Sequence, residues 1–119
     1  MSLLPVVDYE AIANLRALSP DDGDEFLKEI LTIFIDDTPT RLAELRGSLV
    51  SGDAASFVRA AHSIKGSSSN VGACELRAVA ESLEHHAKQN GLADVEPQIG
   101  ELETAFDRVK AELNKLMAG

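Results

Sequence analysis

Apolar residues recur along this chain in steps of three and four, the spacing that gathers them on one face of an α-helix. No stretch alternates apolar and polar residues as a half-buried strand would. A short leading helix is predicted from Asp8, as N-cap, to Leu18, and Ser19-Pro20-Asp21-Asp22-Gly23 then breaks the chain. The first long helix is predicted from about Asp24 to Val50, with Phe26, Ile30, Ile33, Phe34, Leu42, Leu45 and Leu49 among its apolar positions. Pro39 lies inside it and predicts a kink without requiring a break. Gly52 suits the position after that helix and Asp53 the N-cap of the next. In the second long helix Phe57, Ala61, Ile64 and Ser68 lie inward, while Arg59, His62, Lys65, Gly66 and Ser69 fall to the side or outside.

After a turn at Asn70-Val71-Gly72, a third helix carries Leu76, Val79, Ala80, Leu83 and Ala87 on one face and closes at Asn90-Gly91. Asp94 is predicted to cap the last helix, which tolerates Pro97 in its first turn and packs through Ile99, Leu102, Phe106, Val109, Leu113 and Leu116. Short connections between these segments predict an all-α fold: an antiparallel up-down-up-down four-helix bundle with a short additional N-terminal helix. Residues 1–119 are read as a single domain. One segment has apolar residues to spare, because Phe26, Leu27, Ile30, Leu31, Ile33, Phe34 and Ile35 cover more than one face. Either the leading helix covers the surplus through Tyr9, Ile12 and Leu15, or the surplus docks a partner, or both hold in part.

Charge narrows the functional classes. The 119 residues carry 11 Lys and Arg against 20 Asp and Glu, a net charge of -9, which disfavours general binding to nucleic acid or to anionic membranes. A single cysteine, Cys74, excludes an intramolecular disulfide framework and suits a reducing compartment, with the thiol acting as a small, partly buried apolar group. No secretory signal is expected, since Leu3-Leu4-Pro5-Val6-Val7 has no basic segment before it, and the longest strongly apolar stretch, Ile30 to Ile35, is interrupted by Thr32 and far short of the ~20 residues a membrane span needs. The expected setting is the cytoplasm.

The most informative chemistry lies at Ala60 to Ala73. His62, Lys65 and Gly66 stand at i, i+3 and i+4 and therefore share one helix face. Glycine in a helix interior costs roughly 1 kcal/mol relative to alanine, so the missing side chain must serve something, and close approach of another molecule to the imidazole is the natural candidate. Metal binding is a poor fit: the residues three before His62, His85 and His86 are Arg59, Ser82 and Leu83, so no Glu-x-x-His pair exists, and no His-Glu-x-x-His motif occurs. No Gly-x-Ser-x-Gly elbow marks a hydrolase, and the lack of nucleotide-binding glycine loops in a chain of 119 residues leads to the expectation of no autonomous kinase activity. A phosphoryl acceptor remains. In this acidic chain Arg59 and Lys65 bracket His62, with Ser63 and Ser69 nearby, an environment that would stabilise an arriving phosphoryl group. The bland alternative is a surface histidine between solvated cations.

The stretch Ala61-His62-Ser63-Ile64-Lys65-Gly66-Ser67-Ser68-Ser69-Asn70-Val71-Gly72-Ala73 resembles the signature of histidine-containing phosphotransfer (HPt) domains. Phe34-Ile35-Asp36-Asp37-Thr38-Pro39, with Leu42 and Leu45 after it, is also similar to that family, and the likeness extends from about Asp24 to Leu116. The resemblance implies that His62 is the phosphoacceptor, that Lys65 interacts with phosphate or with a receiver's acidic pocket, and that Gly66 gives docking clearance. It further implies that Glu84, at a position where family members carry glutamine or glutamate, orients the imidazole. A competing reading pairs Glu84 with Lys88 at i+4 on a solvated helix. His85 and His86 match no functional position.

The expected function is thus a phosphorelay intermediate exchanging a phosphoryl group between His62 and aspartates of receiver domains, in response regulators and hybrid histidine kinases. No cofactor is expected on this chain, Mg²⁺ is expected in the partner receiver, and a monomer is expected. Two alternatives stand beside this reading: the phosphoacceptor domain of a chemotaxis-type histidine kinase, and a non-catalytic helical adaptor that binds receivers.

Overall fold

The structure is a computed structural model that describes residues 4–118. It contains five helices: α1 (Tyr9–Ala17), α2 (Glu25–Ser51), α3 (Ala54–Asn70), α4 (Cys74–Asn90) and α5 (Glu96–Ala118). Helices α2 to α5 follow one another through short turns, each consecutive pair packs together, and α2 also meets α5. Such connections force neighbouring helices to run antiparallel, which produces the four-helix bundle. Among the described residues no helix is long and apolar enough to cross a membrane.

Caps explain three of the helix boundaries. Asp8 accepts from the Glu10 amide at the start of α1, and Asp53 accepts from the Ser56 amide at the start of α3. Gly52 ends α2 in the left-handed region at φ 75°. At the start of α2 the amide of Phe26 donates to Asp22 Oδ2 at 3.0 Å. One boundary reading is corrected: Asp94 does not cap the last helix, because it sits at φ 60° in the preceding turn and α5 begins at Glu96. Helix α2 runs unbroken through Pro39.

The core takes its largest members from every helix, including Ile12, Leu31, Leu45, Phe57, Ile64, Leu76, Leu83, Ile99, Leu102 and Leu113. Phe34 and Phe106 meet edge to face, with ring centroids 6.1 Å apart. The inward stripes expected for α3, α4 and α5 are buried, save that Val79 and Leu116 are only partly covered. On α2 the stripe is rotated from the expected one. Leu27 and Leu31 join Phe34 and Leu45 in the core, whereas Phe26 and Ile30 are half-buried and Ile33 is 57% exposed. Helix α1 covers only part of the surplus: Ile12 is buried and Leu15 half-buried, but Tyr9 is exposed and donates its hydroxyl to Glu112 of α5 at 2.8 Å.

The α3–α4 turn holds α1 in place. The Asp8 amide donates to the Gly72 carbonyl at 2.8 Å, and Gly72 itself is buried at φ +72°. A β-carbon there would lie 2.7 Å from Ala11 Cβ and 2.9 Å from the Asp8 carbonyl oxygen. Backbone conformation and close approach therefore both demand glycine.

Candidate functional site

Small residues bring α3 and α4 close together. Ala60 and Ala61 on α3 and Ala80 and Ala87 on α4 are all buried, and this is the most extensive helix pairing in the bundle. Glu84 falls within the same α4 stripe, between Ala80 and Ala87, so its carboxylate is carried into the pairing with only 6% of its side chain exposed. A buried carboxylate needs partners, and three donors supply them. His62 Nδ1 lies 2.9 Å from Glu84 Oε2, Lys65 Nζ 3.2 Å from Oε1, and Lys88 Nζ 3.2 Å from Oε2.

The electrostatics of Glu84 follow from this arrangement. Burial pushes its carboxyl upward, but hydrogen bonds from Lys88, His62 and Lys65, with the charge of Lys65 added, outweigh burial and hold it below the ordinary carboxylate value. Glu84 is therefore an anion at neutral pH and can only accept hydrogen bonds, so Nδ1 of a neutral His62 must carry the proton. The lone pair is left on Nε2, at the opposite edge of a ring whose side chain is 65% exposed. A buried anion, a fixed tautomer and a lone pair on the exposed ring are thus produced by one contact.

The linked pH dependence has a definite sign. A carboxyl whose folded value is depressed contributes stability above its unfolded value, near 4.5, and that contribution is lost as pH falls through the folded value. Thermal melts of the wild type should drop below about pH 5. Glu84→Gln should flatten that drop, and an unchanged acid limb in this variant would remove Glu84 from the account.

His62, Lys65 and Glu84 are brought together as expected, and Lys88 joins them. Glu84 is not on a solvated face, so the two readings of it are not exclusive: the same buried carboxylate holds His62 and Lys88 at once. Arg59 stays apart, with its guanidinium donating to Ser56 Oγ at 3.0 Å near the α3 N-cap. Ser69 is also engaged elsewhere, accepting from Arg77 Nε at 2.8 Å. His85 is exposed, and His86 Nε2 donates to the Ala93 carbonyl at 2.8 Å in the following turn. Lys88 was legible as an i+4 partner of Glu84, but its place beside the imidazole depends on helix packing.

Gly66 is exposed one turn beyond His62, and a β-carbon there would meet nothing within 4 Å. The fold itself therefore makes no demand for glycine at this position, in contrast to Gly72. Gly66→Ala should stabilise α3 by about 1 kcal/mol, read as a higher urea midpoint. A lower midpoint would mean that the glycine serves the fold after all.

The His62 side chain is 65% exposed and stands open to solvent on α3. A shallow depression lined by Ile30, Ile33, Phe34, Asp37, Ser67, Asn70 and Val71 adjoins Gly66 in sequence through Ser67 and presents the exposed Ile33.

Known proteins share this fold. The histidine-containing phosphotransfer protein HptB of Pseudomonas aeruginosa PAO1 superposes with a TM-score of 0.85 at 32% identity, covering 93% of each chain. The phosphotransfer protein ZmHP2 of maize shares the fold with a TM-score of 0.84 at 22% identity, over 95% of this chain and 83% of its own. Multistep phosphorelay regulator 1 of Schizosaccharomyces pombe is 27% identical over 81 residues, covering 68% of this chain but only 28% of that protein's length. The Hpt domain profile matches residues 29–112, which span α2 to α5 and include every member of the His62 cluster, and the chain belongs to the Hpt domain family.

Proposed function

We infer that this domain is a phosphorelay intermediate in which His62 Nε2 accepts a phosphoryl group from a receiver aspartate and passes it to another receiver aspartate. One observation carries the assignment: the bond from Nδ1 to the buried Glu84 anion leaves Nε2 outward and unprotonated. The attacking lone pair forms the N–P bond as the acyl P–O bond breaks, and that bond's electron pair returns to the receiver carboxylate. Nδ1 keeps its proton, and the ring becomes cationic against the Glu84 charge. Mg²⁺ bound by the receiver supplies charge neutralisation at the transferring group when the two proteins meet.

Lys65 stands one helical turn from His62 and provides a cation for the phosphoryl oxygens. Gly66 and the apolar surface at Ile33 serve receiver docking: the glycine leaves room for the partner's active-site loop, and Ile33 offers exposed apolar area. The reading places the domain in the cytoplasm, as a monomer between encounters. It is tested by charging a panel of receiver domains with labelled phosphate and adding the protein. Acid-labile, base-stable label on this chain supports the function; no transfer from any cognate receiver would sink it. In the same assay Gly66→Gln should slow transfer without loss of fold, and wild-type rates would contradict the docking role of the glycine.

A further inference from the structure

The three donors on Glu84 are not equivalent, and their arrangement assigns them different tasks. Oε1 takes Lys65 alone, whereas Oε2 takes both His62 Nδ1 and Lys88. Lys65 belongs to α3 and stands beside the histidine on the helix that carries the nucleophile. Lys88 belongs to α4, four residues after Glu84, with the acid N-terminal to the base, the more favourable orientation for such a pair. Its ammonium is therefore tied to the carboxylate by its own helix and not by the position of the phosphoryl acceptor.

Charge counting shows why two lysines are needed. Glu84 as an anion and His62 as a neutral ring leave the cluster with one excess positive charge from the two lysines. A transferred phosphoryl group, formally PO₃⁻, brings the cluster to neutrality. Without Lys88 the same cluster would start neutral and finish with an excess negative charge beside a newly bound anion. Arg59 does not offset this, since it is held at Ser56.

We propose that Lys88 is the retained counter-cation of Glu84: when His62 carries a phosphoryl group, Lys65 leaves Oε1 for the phosphoryl oxygens while Lys88 stays at Oε2 beside Nδ1. Lys88 is thus a positioning residue that acts on the imidazole through Glu84. The exchange swaps one set of charge-assisted hydrogen bonds for another and moves no proton. It rests on His62 as the phosphoacceptor, and it adds a division of labour between the lysines on the two helices.

The test follows the ring nitrogens of ¹⁵N-imidazole-labelled protein by NMR across pH, before and after loading with phosphoramidate. Chemical loading needs no receiver, so failure of the exchange is distinguishable from failure of receiver transfer, which the charged-receiver panel reads separately. In Lys88→Met the phosphorylated ring should hold its Nδ1 proton to higher pH, by about half a pH unit, because nothing else then neutralises Glu84. The unphosphorylated ring should move less, since Lys65 still faces the carboxylate. Lys65→Met should give the opposite pattern, shifting the unphosphorylated ring more than the phosphorylated one. Lys88→Arg should restore the wild-type curves. Equal shifts in both states for either methionine variant, or no shift for Lys88→Met after phosphorylation, would overturn the proposal.

Discussion

His62→Gln is expected to take no label from any charged receiver, and Glu84→Ala to take it about 10- to 100-fold more slowly than wild type, a cost of the size seen when a metal-ligating imidazole loses the group that orients it. The glutamine at position 62 has no nucleophilic ring nitrogen, so the loss should be complete. At position 84 the cost arises differently. Without the carboxylate the ring is free to rotate, and its proton can move to Nε2, which removes the lone pair from the attacking atom. Glu84→Gln separates orientation from charge, because its amide oxygen can still accept from Nδ1. Its transfer rate should lie between those of wild type and Glu84→Ala. If the two variants were equally slow, charge and not tautomer would be the property that matters. Neither variant should unfold the bundle: the lysines left unpaired are 27% and 59% exposed at their side chains and can turn toward water. Removing one partner of a fully enclosed ion pair would be much more damaging.

The distribution of buried groups explains which parts of this site were legible in the sequence. His62, Lys65 and Gly66 share a helix, and spacing along one helix fixes which residues share a face. Their grouping could therefore be read without tertiary information. Glu84 is separated from His62 by 22 positions and a turn, so its partner was indicated only by likeness to a family. Residue type misled at the same point. A glutamate four places before a lysine reads as a solvated surface pair, and nothing local reveals that Ala80 and Ala87 draw position 84 into the α3–α4 contact. Arg59 shows the reverse error. Its spacing from His62 suggested a shared field, but the capping group at Asp53 orders Ser56, and Ser56 holds the guanidinium.

The same distinction applies to the fold. Helices α3, α4 and α5 have narrow apolar stripes, and these were oriented correctly. Helix α2 is apolar on more than one face near its start, so periodicity alone could not choose between Leu27 with Leu31 and Phe26 with Ile33. Packing chose the first pair and left Ile33 outside. At Asp94 the residue type favoured a cap, but the chain enters α5 from a left-handed turn and the first helical residue comes two positions later.

Gly72→Ala should destabilise the protein by about 2–5 kcal/mol, a large fraction of a typical domain's roughly 5–15 kcal/mol. Two costs combine. A non-glycine residue held in the left-handed region costs roughly 1–2 kcal/mol, and forcing a methyl into a filled space typically costs about 1–3 kcal/mol. Relief is difficult here, since one of the two atoms met below 3.0 Å is the Asp8 carbonyl oxygen, part of the backbone that seats α1. Moving it away strains the bond from the Asp8 amide to the Gly72 carbonyl and the cap that Asp8 makes with Glu10. The first element to loosen should be α1, exposing Val7 and Ile12, which are buried in the wild type. Hydrogen exchange should therefore quicken in the α1 amides before those of α3 and α4, and the urea midpoint should fall. Phosphotransfer under native conditions should survive, because His62 lies about 12 Å along α3 from its last residue, Asn70, at ~1.5 Å per residue, and Gly72 lies beyond that end. Wild-type protection of α1 with an unchanged midpoint would show that the turn can absorb a methyl and that its glycine is not what holds the leading helix.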